Sequence, residues 1–204
     1  MGLKNNTLLK GIRINRVIQF LTYSDILLLS GWGLVSPIFA IFLTNQIKGG
    51  SAALAGLATT VYLVTKSFLQ MPIARYIDSR KGEKDDFWLM GGGSVIISMT
   101  AFLYMFAKLP IHVYLIQIFY GIGSAMSYPA WMAIFTRHAD KNQEGFQWSL
   151  YYTMTDLGSA LSAGLGGFLA TQIGYQNLFF IVGIISLAGT LFLSGVVQRL
   201  KTKG

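Results

Sequence analysis

The chain has 204 residues, 53% of them hydrophobic and 12% charged, with a formal net charge of +8. Soluble domains carry about 25% charged residues, so this balance excludes an ordinary water-soluble fold. The basic excess does not point to nucleic acid, because Lys and Arg gather at the ends of apolar runs; with no cysteine, disulfides, thiolate nucleophiles and Cys-based metal sites are also excluded.

The N-terminal segment holds Lys4, Lys10, Arg13 and Arg16. The apolar stretch after it is too long for a signal-peptide core and has no small-residue cleavage site, so it reads as a retained span. This first predicted helix, 17–44, places Asp25, Leu29, Trp32 and Ser36 on one face, and Pro37 is expected to kink it. The second, 52–76, contains Lys66; the third, 87–107, contains no charge. In the fourth, 111–136, Gln117, Tyr120, Ser124, Ser127 or Tyr128, and Trp131 follow at three- and four-residue steps on one face, with Pro129 as a second kink. The fifth, 146–172, contains Asp156, and the sixth, 176–198, is again charge-free. Each is long enough to cross ~30 Å of hydrocarbon.

The predicted connections are Asn45–Ser51, Ile77–Asp86, Lys108–Pro110, Arg137–Gly145 and Ile173–Tyr175. None is long enough to separate two domains, so one domain over 1–204 is expected. Lys4, Lys10, Arg13, Arg16, Arg75, Arg80, Lys81, Lys84, Arg137, Lys141, Arg199, Lys201 and Lys203 fall on one side, against Lys48 and Lys108 on the other. By the positive-inside rule this places both termini in the cytoplasm of a cell-membrane protein. Trp88 and Trp148, near helix ends, are expected as interfacial anchors, and His112 and His138 as interfacial residues without a metal.

Two short matches suggest an internal repeat. Pro37 and Pro129 are each followed by an Ala-Ile-Phe ending, and Tyr62-x-x-Thr65-Lys66 matches Tyr152-x-x-Thr155-Asp156. Repeats of about 17–107 and 111–198, with an odd number of spans each, have inverted topology. Asp25, Lys66 and Asp156 are the charges within spans. Each costs ~2.5–3.5 kcal/mol on insertion scales and needs a partner or a watery cavity. No G-x-S-x-G, H-E-x-x-H, P-loop or Rossmann glycine pattern occurs, so neither an enzyme nor a cofactor is expected.

Three segments resemble the major facilitator superfamily, in particular its N-terminal six-helix half, and the likeness spans essentially the whole chain. Ala74–Lys84 is similar to the family's G-x-x-x-D-R-x-G-R-K loop: Asp78, Gly82 and Lys84 fill its roles, Ala74 replaces the first glycine, and one extra residue separates Asp78 from Gly82. Gln117–Ala125 is similar to R-x-x-Q-G-x-G-x-A, with Gln117 replacing the arginine linked to proton coupling. Gly158–Gly167 is similar to the antiporter pattern G-x-x-x-G-P-x-x-G-G, with Ser162-Ala163 replacing Gly-Pro.

The resemblance implies an all-α membrane protein of six transmembrane helices, built as two inverted three-helix repeats that form half of a facilitator fold. It implies a gating role for Asp78, Arg80, Gly82 and Lys84, close helix packing at Gly158, Ser162, Gly166 and Gly167, and lipid-facing third and sixth helices. Asp25, Trp32, Ser36, Gln117, Tyr120, Ser124, Tyr128 and Trp131 become candidates for a substrate cavity. Proton coupling through Gln117 is not implied.

Family members have about twice this length. The expectation is therefore a truncated half or a parallel homodimer moving a small solute, with or without a coupling ion, by alternating access. The other reading is a non-transporting scaffold or accessory subunit. In the homodimer the second helix would meet the partner's fifth, through Gly158, Ser162 and Gly166 and through a Lys66–Asp156 ion pair. The partners expected are thus a second copy, the lipid bilayer and a small solute, not nucleic acid.

Overall fold

A computed structural model describes residues 14–80, 82–197 and 200. Lys4, Lys10, Arg13, Lys81, Arg199, Lys201 and Lys203, which enter the charge bias above, lie outside the described residues, as does the predicted end of the sixth helix at 198. The described residues are all helical, without strands: α1 (Arg16–Gly33), a 3-10 turn (Ser36–Ile38), α2 (Phe39–Gln46), α3 (Ala52–Ser79), α4 (Lys84–Tyr104), α5 (Pro110–His138), α6 (Glu144–Phe192) and α7 (Ser194–Val197).

Local chemistry explains where these helices start. The Asn15 side chain accepts from the Val17 N–H at 2.9 Å, and the Ser51 hydroxyl accepts from the Leu54 N–H at 3.1 Å. Each satisfies an amide that the first turn leaves without a partner. Pro110 opens α5, where its missing N–H costs nothing.

Among the described residues, four helical stretches are long and apolar enough to cross a membrane: Arg16–Gln46, Ala52–Ser79, Lys84–Tyr104 and Glu144–Val197. Helix α5, with 29 residues, is as long, but Gln117, Tyr120, Ser124 and Ser127 dilute its apolar character. The first predicted helix is broken rather than merely kinked. Leu34 and Val35 leave the helix, and the chain resumes as α2 after the 3-10 turn that holds Pro37. The pyrrolidine ring cannot continue the hydrogen-bond ladder, and it would collide with the carbonyl one turn earlier. Pro129, by contrast, lies inside α5, which runs on to His138.

A straight helix of the 49 residues of α6 would extend about 74 Å, over twice the hydrocarbon thickness. Gly174 interrupts it, with φ 78° and ψ 161°. That conformation suits glycine, which lacks the Cβ that crowds positive φ. The two arms lie along the same part of α1: Gly158 on one arm faces Ser30, and Gly189 on the other faces Ser24 and Leu28. The chain therefore turns back at Gly174, within the predicted Ile173–Tyr175 connection. The other helix ends differ from the predicted limits by at most three residues, as the bounds of α3, α4 and α5 show.

Helix α1 packs along both arms of α6, while α5 packs between α3 and α4. Two apolar clusters form, one at each end of the bundle. At the Gly174 end, Phe42, Leu43, Tyr104, Leu178 and Phe179 are buried together. At the Arg137 end, Leu21, Met90, Ile134, Phe135 and Val196 do the same. Backbone and charge tie the connections at each end: the Lys48 N–H donates to the Lys108 carbonyl at 3.0 Å, and Arg137 forms an ion pair with Asp86.

Candidate functional site: two cavities between the helices

Between the two apolar clusters, the polar faces of α1 and α5 meet side chains from α3, α4 and α6 around two cavities. The cavity toward the Gly174 end, about 310 Å³, is lined by Trp32 and Ser36 from the first helical stretch, Thr59 and Tyr62 from α3, Tyr104 from α4, and Gln117 and Tyr120 from α5. The cavity toward the Arg137 end, about 300 Å³, contains Asp25, Lys66, Ser94, Ser124, Ser127, Tyr128, Trp131, Trp148, Tyr151 and Tyr152 in its wall. Tyr62 and Tyr120 line both. The Tyr120 ring packs, tilted, with its centroid 4.9 Å from that of Trp32 and 4.8 Å from that of Tyr62, so three aromatic side chains from three helices separate the cavities.

All eight cavity candidates from the sequence lie on these walls: Trp32, Ser36 and Gln117 on the first cavity, Asp25, Ser124, Tyr128 and Trp131 on the second, and Tyr120 on both. Helical spacing could find them, because a wall built from α1 and α5 exposes one face of each. Ser94, Tyr151 and Tyr152 are wall residues that the sequence reading missed. Ser94 lies in a span with no charge to single it out, and it joins the wall through a 3.0 Å hydrogen bond between its hydroxyl and that of Ser127.

The charges within the spans are not used alike. Asp25 accepts a hydrogen bond from the Tyr151 hydroxyl at 2.8 Å. The Lys66 ammonium lies 4.7 Å from the Tyr128 ring centroid and 5.9 Å from that of Tyr62, so the negative faces of two rings attract it. No ion pair links Lys66 to Asp25 among the described residues. Asp156 is exposed on α6, outside both cavity walls. The buried indole N–H of Trp131 has no hydrogen-bond partner among the described residues.

Trp148 corrects an expectation. It does not anchor a helix end but packs 4.3 Å from Phe135 and 5.8 Å from Trp131, on the wall of the second cavity. Trp88, by contrast, is 72% exposed and stays outside the bundle. The small-residue face of α6 corrects another. Gly158 packs at Ser30, Ser162 at Gly33, and Gly166 against the Leu34 carbonyl, so α1 of the same chain packs against the face expected to meet a partner. Gly167 lies near Ile38 at 3.9 Å. Close approach to the broken segment of α1 is what these small residues provide.

Of the four loop candidates, Asp78, Arg80 and Lys84 are exposed, and Arg80 lies over the Tyr76 ring at 4.9 Å. Gly82 takes φ 118° in the turn into α4. The buried acids here are others. Asp86 pairs with Arg137, and Glu83 lies 3.7 Å from the His138 ring. Gln147 bonds to the Asp140 carboxylate at 2.7 Å, so the second and fourth connections are both held at this end. Asp78, Glu83, Asp85 and Asp86 share one charged turn, and nothing in residue type separates buried Glu83 and Asp86 from exposed Asp78.

A sequence profile of the Major Facilitator Superfamily matches residues 24–203. An uncharacterized transporter of Bacillus subtilis (strain 168), YybO, is 24% identical over 137 residues, which is 67% of this chain and 31% of that protein. The crystal structure of the POT family transporter PepTSo superimposes with a TM-score of 0.76 at 17% identity, covering 95% of this chain and 39% of that one; at this identity the likeness concerns the fold alone. The chain thus spans about a third of the length of the curated relative it matches. With the profile covering nearly all of it, the chain belongs to the Major Facilitator Superfamily and is a transporter-like multi-pass membrane protein.

Proposed function

We propose that the chain crosses the cell membrane six times as a single domain, with both termini in the cytoplasm, and forms one half of a transporter that moves a small solute by alternating access. The observation that carries this reading is the second cavity, where Asp25, Lys66, three serines and several aromatic rings from five helical rods are held between the membrane-length helices. A scaffold has no use for ionisable groups at that depth, where each must be compensated.

The reversal at Gly174 supports six spans, because it makes the arms of α6 two crossings. The contacts of two glycines support inverted repeats. Gly31 on α1 fits against Val182 and Ser186 of the last arm, as Gly123 on α5 fits against Gly93 and Ile96 of α4. The first helix of each repeat thus meets the third helix of the other repeat at corresponding positions.

A second copy would supply the other half. Exposed apolar side chains on α3 (Leu57, Phe68, Met71) and on the first arm of α6 (Leu157, Leu161, Phe168) form the contact in this reading. A two-fold axis along the membrane normal relates two copies of the same orientation. Asp78, Arg80, Gly82 and Lys84 then gate the cytoplasmic side of that contact.

The test is solute uptake into liposomes that contain only this protein, with the protein mass determined in the same detergent preparation. Uptake by a preparation of dimer mass is expected. Uptake by a monomer ends the dimer reading, and a well-folded protein that moves none of a broad solute panel is the accessory subunit instead.

A further inference from the structure

We propose that the cavity at Lys66 binds a small organic monoanion with a flat apolar body, its anionic group held by the Lys66 ammonium. The inference names the substrate class of the transport reading and rests on it. Lys66 is a cation on a cavity wall with two tyrosine rings as neighbours and no carboxylate partner among the described residues. Ring faces attract an ammonium but accept its hydrogen bonds only weakly. The Trp131 indole N–H on the same wall likewise has no acceptor among the described residues. An ammonium and an indole N–H are donors only, so what these two groups lack is an acceptor with negative charge.

The cavity's acid does not supply it. Asp25 is bonded to the Tyr151 hydroxyl at 2.8 Å and does not reach Lys66. The remaining wall is aromatic on the side of α5 and α6, where Trp131, Trp148 and Tyr151 pack edge-on or tilted against one another. Such a surface suits a flat apolar body. At about 300 Å³ the space accommodates a molecule of one or two rings, not a large polyanion, and Lys66, without an ion-pair partner among the described residues, matches one negative charge.

The test uses benzoate, benzyl alcohol and benzylamine, three probes of similar size with negative, neutral and positive character. Equilibrium dialysis of the purified full-length protein in detergent reads their binding without requiring transport. Benzoate is expected to bind saturably, about tenfold or more tighter than benzyl alcohol. Lys66→Gln should remove that preference, Lys66→Arg should retain most of it, and Trp131→Phe, which keeps a ring but loses the N–H, should reduce it several-fold. The wild-type preference needs no variant, so a misfolded variant does not shelter the proposal.

Absence of saturable benzoate binding, equal binding of benzoate and benzyl alcohol, preference for benzylamine, or benzoate binding unchanged in a folded Lys66→Gln protein would each overturn it. So would restored dimerisation on exchanging charges in Lys66→Asp with Asp156→Lys, which would make Lys66 an intermolecular ion-pair partner. Benzoate binding with the expected variant pattern but no uptake of any solute into liposomes would leave the anion site standing and remove the transport reading.

Discussion

Asp86 and Arg137 illustrate how a single charge can be structural in a membrane protein. The Asp86 side chain is 1% exposed, whereas that of Arg137 is 35% exposed, so the carboxylate depends on its partner more than the guanidinium does. Removing one partner from a buried pair leaves an uncompensated charge, which is worse than replacing both. Arg137→Met should destabilise the protein by about 3 kcal/mol, the low end for buried pairs given the exposure of Arg137. Combining it with Asp86→Leu should recover most of that loss. Unfolding by SDS titration, followed by helical circular dichroism, measures both. If the double variant is no better than the single one, the pair does not hold the end of the bundle.

At the scale of elements, small residues decide how closely helices approach, since lipid removes the usual hydrophobic drive between them. Gly166 and Gly164 lie on the same arm of α6 with opposite surroundings. A Cβ at Gly166 would run into the Leu34 carbonyl, whereas one at Gly164 would meet nothing within 4 Å. Gly166→Ala should therefore push α6 from the broken segment of α1 and cost ~2 kcal/mol, within the usual range for overpacking. Gly164→Ala should be neutral or stabilise by up to about 1 kcal/mol through helix propensity. Thermal unfolding of the two variants side by side checks this contrast. Ser162→Leu belongs with Gly166→Ala, because Ser162 already packs on Gly33; its effect should appear in the stability of the single chain, not only in dimer mass.

For the whole molecule, the prediction is topological. Lys48 and Lys108 are joined at one end of the bundle, and Asp86 and Arg137 at the other. Because the chain has no cysteine, single cysteines report without background. In intact cells, a cysteine at Lys48 should be labelled by an impermeant maleimide, and one at exposed Ser79 should be labelled only after permeabilisation. Labelling of Ser79→Cys from outside would invert the orientation read from the basic residues.

The long apolar runs, the absence of charge in the third and sixth segments and the lopsided distribution of Lys and Arg are properties of composition along the chain. Each records a cost of transfer into hydrocarbon that is paid locally, so the membrane class and nearly all helix limits were legible before any contact was known. The three- and four-residue spacing of Asp25, Trp32, Gln117, Tyr120 and Trp131 also put them on common faces. What those faces meet was not legible, because partners come from helices remote in sequence. Only the tertiary structure turns Trp148 from an anchor into a cavity wall, gives Asp25 to Tyr151, which lies 126 positions away, and buries Asp86 while Asp78 stays exposed. It also assigns the small face of α6 to α1, since the same glycines would serve a partner helix equally well. Proline and positive-φ glycine mark where a rod breaks, but the break at Leu34 and the reversal at Gly174 acquire their consequences from the helices packed against them.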